Sequence, residues 1–328
     1  MQWSRELRVA GRGLRTALRA ASAMVKPPVT SAVPLSRAGA LTEITAFGAN
    51  PGALSMLAYV PANLAANAPV VVLLHGCGQD AAMFAAESGW IALADRVGLT
   101  LVLPEQSADN NRQRCFNWFR PGHVARGRGE ALSIRQMVAE AINRFQADPR
   151  RVHVAGLSAG GAMTAALLAA YPDVFAAGAA IAGLPVGAAS GAASALARMA
   201  QAGPEGRSPQ AWAEQVRRAA PPGYRGPWPR LSVWHGEMDT VVDPANAGLL
   251  AQQWRVLHGL DAAPTVTAEH LTARHMAWGD RNRPQVELWA IPAMAHGYPV
   301  TAPGFPAVAM LPGGISATDR IARFWGLV

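Results

Sequence analysis

The sequence predicts an α/β protein with a mostly parallel central sheet, helices on both faces and a small insertion over the top of the sheet. Three observations predict it. Short, continuously apolar runs recur, such as PVVVLLHG (69–76) and RLSVWHG (230–236). Segments with helical spacing lie between them, such as EALSIRQMVAEAINRFQ (130–146). The apolar runs do not alternate with polar residues, which marks strands buried on both sides and joined by crossover helices. A chain of 328 residues that is 51% hydrophobic and 15% charged can bury a large core and is not a disordered polypeptide. It has no apolar run of about 18 residues, so no transmembrane segment is expected.

The elements follow in order. Residues 1–40 carry Arg5, Arg8, Arg12, Arg15, Arg19, Lys26 and Arg37 against the single acid Glu6, which is +6 of the formal +8. The charge therefore sits in a basic N-terminal tail and not on a binding face, so nucleic acid is not an expected partner. The tail reads as a weak basic amphipathic helix and a Pro/Ser-rich linker, suited to a solvated role or to attachment to a membrane or granule surface. Arg15 and Arg19 interrupt every stretch that could serve as the apolar core of a secretion signal. From residue 41 onward one domain is expected. Its further strands are SMLAYV (55–60), LTLVLPEQ (99–106), RVHVAG (151–156), FAAGAAIAG (175–183) and VELWAIP (286–292). Its further helices are 80–98, 159–172 and 244–259. Residues 184–229, rich in Gly, Ala, Pro and Arg, break the rhythm and read as the insertion, with a short helix near SPQAWAEQVRRAA.

The chemistry concentrates in GLSAG, residues 156–160, between the strand RVHVAG and a helix of small residues. A serine between two glycines at a strand-to-helix turn is a nucleophile elbow: the tight turn lifts Oγ above the sheet, and the following helix aims N–H groups at a reacting carbonyl. Serine needs a base, and the base needs an orienting acid, in the chain order Ser, acid, His. Ser158 is the candidate nucleophile. HGEMDTVVDPANA offers Glu237, Asp239 and Asp243. Asp243 precedes Pro244 and reads as a helix cap, so Asp239 is the candidate acid and Glu237 the reserve. Among the downstream histidines, His296 follows the last long strand and is the candidate base. His270 and His275 lie in an amphipathic edge segment, and His153 reads as a core histidine. The backbone N–H groups of Cys77, in LLHGCGQD, and Ala159 are the candidate oxyanion hole. Two cysteines, Cys77 and Cys115, fit one bridge or two thiols. No cofactor or metal is expected, because no ligand cluster appears.

Taken together, LHGCGQD (74–80), CFNWF (115–119), GLSAGGAMTAALLAAYPDVFAAGAAIAGLP (156–185) and HGEMDTVVDPANA (235–247) resemble the polyhydroxybutyrate (PHB) depolymerase family of esterases, related to feruloyl and acetylxylan esterases. The resemblance covers roughly 41–325. It implies an α/β-hydrolase fold, a triad on Ser158, Asp239 and His296, and hydrolysis of short 3-hydroxyacid or related acyl esters. It also implies a Cys77–Cys115 disulfide beside the site. Family members are mostly exported, so an extracellular or periplasmic protein is expected, with the cytoplasm as the alternative in the absence of a clear signal. Trp118, Asn117 and Tyr298 are the candidate pocket residues. Tyr298 stands where relatives tend to have tryptophan, which bears on substrate rather than on the triad. The alternatives are a feruloyl- or acetylxylan-type carbohydrate esterase and, more remotely, a non-catalytic granule- or membrane-associated scaffold.

Overall fold

The computed structural model describes residues 39–62, 64–203, 206–301 and 309–328. The tail expected over 1–40 lies outside the described residues, apart from Gly39 and Ala40. These open strand β1 (Gly39–Glu43), so the folded unit reaches two residues further than the expected boundary at 41.

The remaining strands are β2 (Ser55–Pro61), β3 (Val70–Leu74), β4 (Thr100–Glu105), β5 (Val152–Leu157), β6 (Ala177–Ile181), β7 (Arg230–Gly236), β8 (Val266–Glu269), β9 (Arg274–Gly279), β10 (Pro284–Ile291), β11 (Tyr298–Val300) and β12 (Met310–Pro312). The helices are α1 (Ala81–Glu87), α2 (Trp90–Val97), α3 (Pro121–Val124), α4 (Gly129–Phe145), α5 (Ala159–Ala170), α6 (Ala192–Ala200), α7 (Pro209–Ala219), α8 (Ala245–Leu257) and α9 (Ala317–Trp325). Ten strands form one sheet in the order β1-β2-β4-β3-β5-β6-β7-β10-β9-β8. From β4 to β10 every neighbour is parallel, whereas β1, β2, β8 and β9 add antiparallel pairs at the two ends. This is the α/β-hydrolase type of sheet. Among the described residues no helix is long and apolar enough to cross a membrane.

The central strands are apolar throughout because each residue faces one of two cores. Val70, Val72 and Leu74 of β3 point into the core under α4, α5, α7 and α8. Val71 and Leu73 point into the opposite core, under α1, α2 and α9. Helix α5 is buried along its whole length, which explains why AGGAMTAALLAA has small residues where an ordinary surface helix has a polar stripe.

Two elements differ from the sequence reading. The stretch 80–98 is two helices, because Gly89 adopts φ +83° and the chain turns between Glu87 and Trp90. The insertion at 184–229 is only partly an edge cover. Helix α7 buries Trp212, Ala213 and Val216 against α5 and α8 and so belongs to the helical layer. The end of α6 reaches the loop after β7: Asp243 N donates to Met199 O, and Ala202 N donates to Asp243 Oδ2 at 2.8 Å. Asp243 Oδ1 also accepts from Ala245 N at the start of α8.

Cys77 and Cys115 form a disulfide with a sequence separation of 38. It ties the loop after β3 to the loop after β4. On the chain-entropy account, closing a loop of this length stabilises the fold by about 4 kcal/mol. The Cys77→Ser/Cys115→Ser variant is expected to lose about that much in denaturant unfolding. No change relative to the wild type would contradict a structural role for the bridge.

Candidate active site

Ser158 follows the last residue of β5 and precedes the first residue of α5. Its backbone sits at φ 58°, ψ −115°, outside the regions open to most residues, a strain of about 1–3 kcal/mol. The surroundings hold it there. Ser158 N donates to Ile181 O at 2.8 Å, and Ala162 N donates to Ser158 O at 2.9 Å. The flanking glycines are steric requirements. A Cβ on Gly156 would run into the backbone of Gly160, and one on Gly160 into the carbonyls of Leu74 and His75. Ser158 occupies the N-cap position, yet its side chain makes no capping hydrogen bond. Its Oγ is therefore not committed to the helix.

Asp239 lies just past β7 and His296 past β10, at the same carboxyl edge as Ser158. A Cβ on Gly236 would meet the carbonyls of Met294 and Ala295, so only glycine lets the histidine-bearing loop come this close. The Asp239 side chain is fully buried and all its acceptor positions are engaged. Oδ1 accepts from Val241 N at 2.8 Å and Val242 N at 2.9 Å. Oδ2 accepts from His296 Nδ1 at 2.7 Å and from His235 Nε2 at 3.0 Å. Burial opposes ionisation of this carboxyl. The hydrogen bonds from His235 and His296, the charge of His296 and the Val242 N–H outweigh it and hold the group well below the usual carboxylate range. Asp239 is therefore ionised at neutral pH. With Nδ1 donating to the carboxylate, Nε2 is the basic nitrogen of His296. Glu237, the reserve acid, is paired with Arg274 instead.

The loop after β3 is held by every means except one. Gly76 N donates to Gln79 Oε1 at 2.7 Å, and Gly78 N donates to Gln113 O at 2.7 Å. His75 Nδ1 donates to Gly76 O, and its Nε2 accepts from Gln106 N at 3.1 Å. Cys77 N and Ala159 N have no acceptor among the described residues. Two unused donors on fixed backbone, one of them at a helix N-terminus, are what an oxyanion hole requires.

The three expected pocket residues part company. Asn117 is fully buried, with its N and Nδ2 donating to the buried Glu130 carboxylate at 2.8 and 2.6 Å. Tyr298 is also fully buried, on the opposite core: its hydroxyl accepts from Trp90 Nε1 at 3.0 Å and is hydrogen-bonded to Thr318 Oγ1 at 2.8 Å. In this structure neither presents surface to a pocket. Their burial was not legible in the sequence, because it depends on partners far along the chain. Trp118 alone of the three keeps some exposed surface, at 9%.

Sequence reasoning missed His235 and the Gln106–Glu130 pair. His235 Nε2 faces two acceptors, Asp239 Oδ2 and Val242 O, and so carries the proton that clamps the acid loop. The signal was present as a histidine four residues before the acid, at the end of β7. Gln106 Nε2 donates to Glu130 Oε1 at 2.7 Å and to Cys115 O at 3.2 Å, which braces the disulfide loop from below. The other histidines pack. His275 stacks on Trp289 at 4.1 Å and donates to Glu287. Among the described residues no three of His, Cys, Asp or Glu are grouped to hold a metal ion.

His153 is stacked on Trp325 at 4.8 Å with Nδ1 unpaired, and burial lowers it to about 3. Burial lowers His75 to about 4. Both groups are neutral in the fold and take up a proton near 6.5 when unfolded, so each contributes stability above 6.5 that is lost as pH falls toward the folded value. Tm is expected to drop between about pH 6.5 and pH 4. His153→Phe, which keeps the stacking, is expected to flatten that drop. A variant with the wild-type pH slope would contradict it.

A protein-family model described as "Esterase PHB depolymerase" matches residues 54–274. The chain is 41% identical over 322 residues to poly(3-hydroxyalkanoate) depolymerase C of Paucimonas lemoignei, covering 96% of this chain and 77% of that protein. It is 37% identical to feruloyl esterase B of Talaromyces stipitatus, covering 76% of this chain and 71% of that one. Among solved structures, the acetyl xylan esterase of Aspergillus awamori superposes with a TM-score of 0.75 at 25% identity, over 88% of this chain and 100% of that one.

Proposed function

This chain belongs to the esterase PHB depolymerase family of carboxylic ester hydrolases, and from that we propose that it hydrolyses esters of short 3-hydroxyalkanoates through Ser158, His296 and Asp239. The observation that carries the mechanism is the 2.7 Å contact from His296 Nδ1 to the buried Asp239 carboxylate, at the edge where Ser158 sits in its strained turn. His296 Nε2 takes the proton of Ser158 Oγ as Oγ attacks the ester carbonyl carbon. The N–H groups of Cys77 and Ala159 hold the tetrahedral oxyanion. Collapse breaks the ester C–O bond, and His296 returns its proton to the departing alkoxide. Water then attacks the acyl-enzyme by the same route and frees the acid.

The depolymerase relative supports the substrate class, because its likeness runs over nearly the whole chain. The disulfide supports an oxidising compartment, extracellular or periplasmic. The test is a comparison of kcat/KM for a 3-hydroxybutyrate oligomer, methyl ferulate and acetylated xylan. The oligomer is expected to be the best substrate. A higher value for either carbohydrate-type ester would reassign the substrate class, and hydrolysis of none of them would overturn the reading.

A further inference from the structure

Between the amino ends of β7 and β10 and the last turns of α9 lies a cleft of about 580 Å³. That is the size of a small-molecule site. It is not the ester site. Arg230, on its wall, is the first residue of β7, while Asp239 lies beyond the last; the seven residues of the strand span about 20 Å at about 3.3 Å each.

The cleft has an excess of donors. Arg230, Arg283, Arg320 and Arg323 line it, and among the described residues none of the four is in an ion pair. Arg230 is fixed in place: Nε donates to Pro284 O at 2.8 Å and the guanidinium lies 4.1 Å from the Phe324 ring centroid. Burial and the charge of Arg283 lower it to about 10, so it stays cationic at neutral pH. Arg320 lies over Trp289 at 5.4 Å. The one carboxylate in the lining, Glu287, is already taken by Ser232 Oγ at 2.6 Å and His275 Nε2 at 3.0 Å. The buried indole N–H groups of Trp289 and Trp325, which also line the cleft, have no acceptor among the described residues. Four like charges gathered around aromatic residues, offset by the single Glu287 carboxylate, match an oxyanion carried on an apolar body.

We propose that this cleft is a second ligand site, for a small aromatic anion whose carboxylate or phosphate is held by Arg230, Arg320 and Arg323 and whose ring rests among the tryptophans. The site is independent of which ester the enzyme cleaves. The test is titration of the full chain with benzoate and with phenyl phosphate at low ionic strength, read by tryptophan fluorescence and by calorimetry. Benzyl alcohol and inorganic phosphate are the controls. One of the two aromatic anions is expected to bind saturably at one site, and the tighter of them identifies the head group. Benzyl alcohol is expected not to bind, and Arg320→Gln/Arg323→Gln to weaken binding at least about tenfold. That variant is expected to keep its rate on p-nitrophenyl butyrate, because the ester site is at the other end of the strands. If the double variant fails to fold, the single variants Arg320→Gln and Arg323→Gln replace it. Absence of saturable binding, or affinity unchanged by the arginine substitutions, would overturn the proposal. Inorganic phosphate binding as tightly as phenyl phosphate would overturn its aromatic part.

Discussion

Ser158→Ala is expected to lower kcat on p-nitrophenyl butyrate by roughly 10⁴–10⁶-fold, with little change in KM. The loss is this large because the acyl-enzyme route closes altogether. What remains is the polarisation of the ester by Cys77 N and Ala159 N, whose backbone positions do not depend on Oγ. The fold is expected to survive, since Oγ makes no capping bond to α5 and the turn is held by the Ser158 N to Ile181 O and Ala162 N to Ser158 O bonds. A variant with unchanged Tm and a rate within tenfold of the wild type would remove Ser158 from the mechanism.

Asp239→Asn is expected to cost about 10⁴-fold in kcat, also without unfolding the protein. The reasoning rests on which oxygen becomes nitrogen. Oδ1 accepts two backbone N–H groups, from Val241 and Val242, so the asparagine carbonyl must stay there. The amide NH₂ then occupies the Oδ2 position and faces His296 Nδ1 and His235 Nε2–H. Donating to His296 Nδ1 forces the proton onto Nε2, the nitrogen that must accept from Ser158. The same NH₂ meets the His235 donor head-on, which adds a destabilising contact near the loop. Retention of more than a tenth of the wild-type kcat would mean that Asp239 does not orient the base.

The central strands and the elbow were legible because their causes are local. A strand buried on both faces must be apolar at every position, and a turn that passes within contact of Leu74 O and His75 O must have glycine at 160. The edge strands β8 and β9 were visible only as an amphipathic segment, since they pair on the outside of the sheet and keep half their surface polar. The placing of Ser158, Asp239 and His296 at one edge of the sheet was readable because each lies just past a recognisable strand. The burial of Asn117 and Tyr298 was not legible for the opposite reason. Each is fixed by a partner far along the chain or across the fold, Glu130 in one case and Trp90 and Thr318 in the other. The same holds for the role of the insertion: the burial of Trp212 depends on the faces of α5 and α8, which periodicity alone does not orient.

The most direct test of the central claim is to treat the folded protein with an aryl alkylphosphonate and locate the adduct by peptide mass spectrometry. An activated serine gives its proton to the base and attacks phosphorus, the P–O bond to the aryloxide breaks and the aryloxide departs, while ordinary serines do not react. The account predicts one adduct per chain, on Ser158, formed in step with loss of esterase activity and absent from Asp239→Asn over the same time. Full loss of activity with Ser158 unmodified, or labelling of another residue, would contradict it.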